Sequence, residues 1–201
     1  MTETIPDPQA PSHDEHAIVV AFSEDSLAVL SALQHQLRGI LGDTIWLTPE
    51  RALHSTVMEI ICDTDYGMVP RKELFTDWYQ QYDQIVAETI TTMPPFEITF
   101  DQLVISPKAI IVKSTDSTIL NDIRSTLLST ISLPVGTKLP PDITHCTIAR
   151  FSSILDLEDI VEQTKMLNVT ITERIETFKL LKDLGPPTFD PKTIQIYRLR
   201  A

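Results

Sequence analysis

Two stretches of this 201-residue chain echo one another, and that echo limits the possible folds more than any single element does. WLTPERALHSTVMEI (46–60) and KLPPDITHCTIARF (138–151) each carry a leucine, one or two prolines, a short spacer and then His-x-Thr-apolar. Each His-x-Thr heads a run of apolar and β-branched residues that reads as a strand. Self-similarity on this scale predicts two related halves, with His54 and His145 at equivalent, facing positions. Strand side chains alternate between faces, so His54 shares a side with Thr56, and His145 with Thr147. Cys146 and Ile148 turn the other way.

The remaining pattern fills in an α+β fold with antiparallel sheet. Strands are expected over 16–22, 52–61, 95–106, 109–115, 145–151, 169–184 and 193–200. Helices are expected over 26–41, with Ser26 or Asp25 as cap, and over 71–90, about 117–131 and 156–167. Apolar residues recur at the 3.6-residue period, as in Leu30, Leu33 and Leu37 of the first helix and Leu120, Ile123 and Leu127 of the third. Residues 1–15 are polar, acidic and proline-bearing, which predicts a disordered tail ahead of one bilobal domain over 16–201. That N-terminus has neither the basic start nor the apolar centre of a secretory signal, so the expected location is the cytosol.

The formal net charge is −12, from 16 basic and 28 acidic residues. Long nucleic acids are held chiefly by neutralising their phosphates, so a surface of this sign argues against such a partner. A phosphate-bearing ligand should instead be small, or held in a local basic pocket. No apolar run approaches the roughly 20 residues of a membrane-spanning helix. The two cysteines, Cys62 and Cys146, have no CxxC spacing and indicate neither a disulfide framework nor a zinc site.

Two imidazoles flanking a gap, with two hydroxyls beneath, suit the hydrolysis of a cyclic phosphodiester. One neutral imidazole takes a proton from water while the other, protonated, donates to the leaving alkoxide; near pH ~6.5 both forms are accessible. The threonine hydroxyls can donate to non-bridging phosphate oxygens. No H-E-x-x-H or acidic cluster stands beside either histidine to suggest a metal, and no cofactor is expected. Cys146 as a nucleophile activated by His145 is disfavoured, because neighbours on a strand point to opposite faces. His13, His16 and His35 read as incidental or structural.

The paired motifs, HSTV (54–57) and HCTI (145–148), resemble those of the two-histidine (2H) phosphoesterase superfamily, in its LigT-like or 2′-5′ RNA ligase-like branch. WLTPERALHSTV, PFEITFDQLVIS, HCTIAR and FKLLKDLGPP extend the likeness over nearly the whole chain from residue 16. The resemblance implies a bilobal duplicated fold, with two antiparallel sheets forming a central cleft and helices outside. It implies a metal-independent phosphodiesterase acting on a 2′,3′-cyclic phosphate, or a related phosphodiester, of a nucleotide or short RNA end. His54 and His145 become the catalytic pair, and Thr56 and Thr147 the phosphate-binding hydroxyls. Arg150 joins them as a phosphate-binding candidate, although strict alternation turns it away unless the strand ends or twists. The alternative is a binding module that holds a nucleotide or phosphate in the same cleft without turning it over. No membrane partner is expected, and the expected state is a monomer. Ser55 departs from the apolar residue usual after the first histidine, which should alter packing behind the strand.

Overall fold

The structure is a computed structural model that describes residues 3–6, 14–62, 66–140, 142–182 and 190–200. Strand β1 (His16–Ala21) leads into helix α1 (Glu24–Leu41), whose leucines at 30, 33, 37 and 41 are buried. The cap is Ser23 rather than Ser26 or Asp25: its hydroxyl accepts from the Ser26 amide at 3.4 Å. Glu173 holds Ser23 in place by accepting from both its amide and its hydroxyl. A short strand β2 (Ile45–Leu47) then precedes β3 (His54–Ile61), which carries the first motif.

Helix α2 (Arg71–Thr91) follows, then β4 (Phe96–Phe100), β5 (Gln102–Ile105) and β6 (Ala109–Lys113). Helix α3 (Thr118–Thr130) leads to β7 (His145–Phe151), which carries the second motif. The chain closes with α4 (Leu157–Thr164), β8 (Ile171–Ile175), β9 (Thr177–Lys182) and β10 (Lys192–Arg198). Two expected long strands are each broken once. Residues 95–106 divide at Asp101 and 169–184 at Glu176, and each hands its first part to a different sheet from its second.

The fold is α+β with two antiparallel sheets, as expected, and the sheets are unequal. The larger has the order β10-β9-β1-β3-β7-β6-β5, with β2 alongside β7, and β4 pairs β8 in a separate two-stranded sheet. Both motif strands lie at the centre of the large sheet. Their direct pairing is antiparallel through Ser55 and Cys146, so the two halves join edge to edge there. The buried faces of β3 and β7 share one apolar core with α1, α2 and α3, including Val57, Cys146, Ile148, Leu37, Trp78 and Leu127.

Of the stretch expected to be a disordered tail, residues 3–6 pack against the body. Thr4 is buried; its amide donates to the Leu155 carbonyl, and the Ile5 amide donates to that of Pro107. The connection at 183–189, with most of the expected GPPTFDP joint, lies outside the described residues.

Candidate active site

Antiparallel pairing of Ser55 with Cys146 sets His54 opposite Thr147 and Thr56 opposite His145, extending the register by one residue each way. All four side chains line one cavity of about 310 Å³. Its floor is the two motif strands. Trp46, Thr48 and Ala52 wall one side, and Lys138 and Leu139 wall the other, from the proline-bearing segments that precede each motif. The structure thus brings His54, Thr56, His145 and Thr147 together. Ser55 and Cys146 are fully buried behind them, and burial pushes the Cys146 thiol up to about 12, far from a usable thiolate.

Arg150 also lines the cavity, against strict alternation, and the reason is a β-bulge. On β6, Ile110 and Ile111 are consecutive, but their partners on β7 are Ala149 and Thr147, so Ile148 is an extra residue. One extra residue resets the alternation and returns Arg150 to the side of His145 and Thr147. Strand β3 does the same: Ile18 and Val19 of β1 face Met58 and Thr56, skipping Val57. That bulge turns Glu59 into the cavity. The two bulges stand 91 residues apart (148 − 57), the same spacing as the two histidines (145 − 54).

Each bulge is fastened from the opposite half by a buried polar side chain. Arg124 of α3, 4% exposed, donates from Nε to the Val57 carbonyl at 2.9 Å and from Nη2 to that of Thr56 at 2.8 Å. Gln34 of α1 donates from Nε2 to the carbonyls of Ile148 at 2.7 Å and Thr48 at 2.8 Å. Bulged carbonyls leave the regular ladder, and buried ones need such donors. Neither residue stood out as a site residue in the sequence. Their signal was a polar side chain on an apolar stripe: Gln34 follows Leu30 by four residues, and Arg124 follows Leu120 by four.

The two histidine rings are held differently. Nδ1 of His54 lies 2.8 Å from the Ala52 carbonyl, which can only accept, so Nδ1 carries the hydrogen and Nε2 is left for chemistry. Nδ1 of His145 is buried and makes no well-formed hydrogen bond, although the Ile143 carbonyl favours its cation. Burial holds both imidazoles below their ordinary value. The charges of His145 and Arg150 add to this at His54, and those of Arg124 and Arg150 at His145. The pair is therefore poised neutral, and an anion between the rings favours protonating one of them. Glu59 is pushed up by burial and drawn back by Lys138 and by a hydrogen bond with Cys62.

Among the described residues, no three His, Cys, Asp or Glu side chains converge as a metal site. No helix among them is long and apolar enough to cross a membrane.

Residues 66–187 match the model of the 2′-5′ RNA ligase superfamily. That span takes in the second motif and begins after the first. A search of curated proteins found no match. Among solved structures, TT0787 of Thermus thermophilus superimposes with a TM-score of 0.62 at 16% identity, covering 93% of this chain and 98% of that one. E. coli LigT complexed with 3′-AMP gives 0.58 at 12% identity, covering 94% and 100%. ATU0111 of Agrobacterium tumefaciens, a conserved protein of unknown function, gives 0.59 at 15%, covering 91% and 86%. At these identities the likeness is one of fold.

Proposed function

The chain belongs to the 2′-5′ RNA ligase superfamily, and on that premise we propose that it is a two-histidine phosphodiesterase that opens a 2′,3′-cyclic phosphate. The observation that carries this reading is the joining of His54, Thr56, His145 and Thr147 in one cavity at the seam between the halves. The cyclic phosphate sits between the two Nε2 atoms. The threonine hydroxyls and Arg150 hold its non-bridging oxygens. One neutral imidazole takes a proton from water as the water oxygen bonds to phosphorus. The other imidazole, protonated, gives its proton to the ribose oxygen as the P–O bond breaks. A nucleoside phosphomonoester leaves, and each ring has exchanged its protonation state. Hydrogen bonds aimed at the equatorial oxygens supply the charge stabilisation that the step requires.

With a ribose hydroxyl in place of water, the same geometry would join two strands, the activity that the superfamily's name describes. LigT, solved with 3′-AMP, has held a nucleoside monophosphate in the same fold.

Purified protein is tested on nucleoside 2′,3′-cyclic phosphates, with and without EDTA, beside calorimetry with adenosine 3′-phosphate. Turnover that survives EDTA and falls at least ~100-fold in His54→Ala and in His145→Ala is the expected result, the usual worth of a general acid or base. Turnover that persists in both variants, or that EDTA abolishes, overturns the mechanism. Tight binding of the monophosphate with no turnover would make the cleft a binding module instead.

A further inference from the structure

The two half-sites match in histidine, threonine and bulge, and then differ in charge. Glu59 occupies in the first half the place of Arg150 in the second (150 − 59 = 91). The hydrolytic mechanism uses Arg150 and has no task for Glu59. Yet Glu59 is half-buried, lines the cavity with the four motif side chains, and also lines a small hollow beside it with Glu15, His16, His54 and Thr56. Lys138, whose amide donates to Cys62 Sγ, is the cation that acts on it, and Cys62 hydrogen-bonds it from just past the end of β3.

We propose that Glu59 is a specificity residue that restricts the cleft to mononucleoside cyclic phosphates. Its carboxylate accepts a hydrogen bond from a neutral donor of the substrate, such as a ribose hydroxyl or a base amine. It turns away substrates that bring a second phosphate into the cleft, as a 5′-phosphorylated nucleotide or the 3′ end of an RNA does. The inference rests on the phosphodiesterase reading above.

Glu59 lines the same cavity as the four motif side chains, so a second anion brought into that cavity lies within about one Debye length of its carboxylate and is poorly screened from it. Arg150 on the opposite strand and the two histidines already suit one phosphate. Lys138 is the cation that would otherwise attract a second, and its charge is drawn toward Glu59. A neutral hydroxyl or amine meets none of this opposition, and a charged acceptor makes a stronger hydrogen bond than a neutral one.

The test compares kcat/KM for adenosine 2′,3′-cyclic phosphate with that for its 5′-phosphorylated form and for a dinucleotide ending in the cyclic phosphate. The wild type is expected to prefer the mononucleoside by ~10-fold or more, the effect of one close charge or hydrogen bond. Glu59→Gln should shrink that ratio, and Glu59→Arg should reverse it. A ratio is insensitive to the fraction of protein that folds. No preference in the wild type, or the same preference in Glu59→Gln, overturns the proposal. If neither substrate is turned over, the hydrolytic reading fails separately. Calorimetry of adenosine 3′-phosphate against adenosine 3′,5′-bisphosphate then decides for Glu59. Preference for the monophosphate that disappears in Glu59→Gln supports it, and equal or absent binding overturns it.

Discussion

HSTVME and HCTIAR occupy the same place in their two halves, and their differences teach more than their likeness. Both begin with a histidine and threonine on one strand face, both then insert one extra residue, and both return their sixth residue to the cavity. The first half returns a carboxylate and the second a guanidinium. The two halves keep the placement of histidine and threonine in the cavity, and the divergence lies in what each then presents to it. The fastenings differ too. A charged arginine holds the first bulge and a neutral glutamine the second.

The largest effects should come from what the halves share. His54→Ala and His145→Ala are each expected to cut kcat by ~10²-fold or more, and the double variant by much less than the product, because the two act as a unit. Single-turnover kinetics on a cyclic nucleotide checks this; losses that multiply would separate the halves. The fastenings come next. Arg124→Ala should destabilise the protein by ~3 kcal/mol, because the Val57 and Thr56 carbonyls lose a charged donor, whereas Gln34→Ala should cost ~2 kcal/mol, because the lost donor is neutral and the Ile148 carbonyl keeps the Thr48 amide. Denaturant unfolding measures both, and equal costs would remove the distinction between charged and neutral fastening. Arg124→Lys should recover only part, since an ammonium does not reproduce the planar fork.

Smaller effects are expected at the hydroxyls. Thr56→Val and Thr147→Val should each lower kcat/KM by ~10-fold, about one hydrogen bond to a charged group. Unequal losses would show that the phosphate leans toward one half. The pH dependence is the mildest probe. Both imidazoles are held below their ordinary value, chiefly by burial. The bell of kcat/KM, which reports the free enzyme, should therefore centre below ~6.5, with its acid limb from protonating the base and its alkaline limb from deprotonating the acid. The same depression makes stability fall as the pH is lowered. The unfolded chain binds protons as pH drops through ~6.5 while the folded rings resist until their lower values. A bell centred above that value would contradict the burial of the rings.

Much of this site was legible because strand alternation is reliable over two residues. His54 with Thr56 and His145 with Thr147 needed only that rule, and the repeated motif then paired them. Arg150 and Glu59 lay beyond its reach, because Val57 and Ile148 look like any strand residues until a partner strand shows that they are extra. Arg124 and Gln34 touch backbone 67 and 114 residues away, a pairing that only the tertiary fold supplies. The breaks at Asp101 and Glu176 are of the same kind: each lies within a run of strand-forming sequence, and the division between sheets decides where the run is cut.

The central claim is that the two motifs form one phosphate site at the seam of the halves. A crystal structure with adenosine 3′-phosphate tests it most directly. The phosphate is predicted to lie between the Nε2 atoms of His54 and His145, within hydrogen-bond reach of the Thr56 and Thr147 hydroxyls. A phosphate bound elsewhere, or touching only one motif, would contradict it.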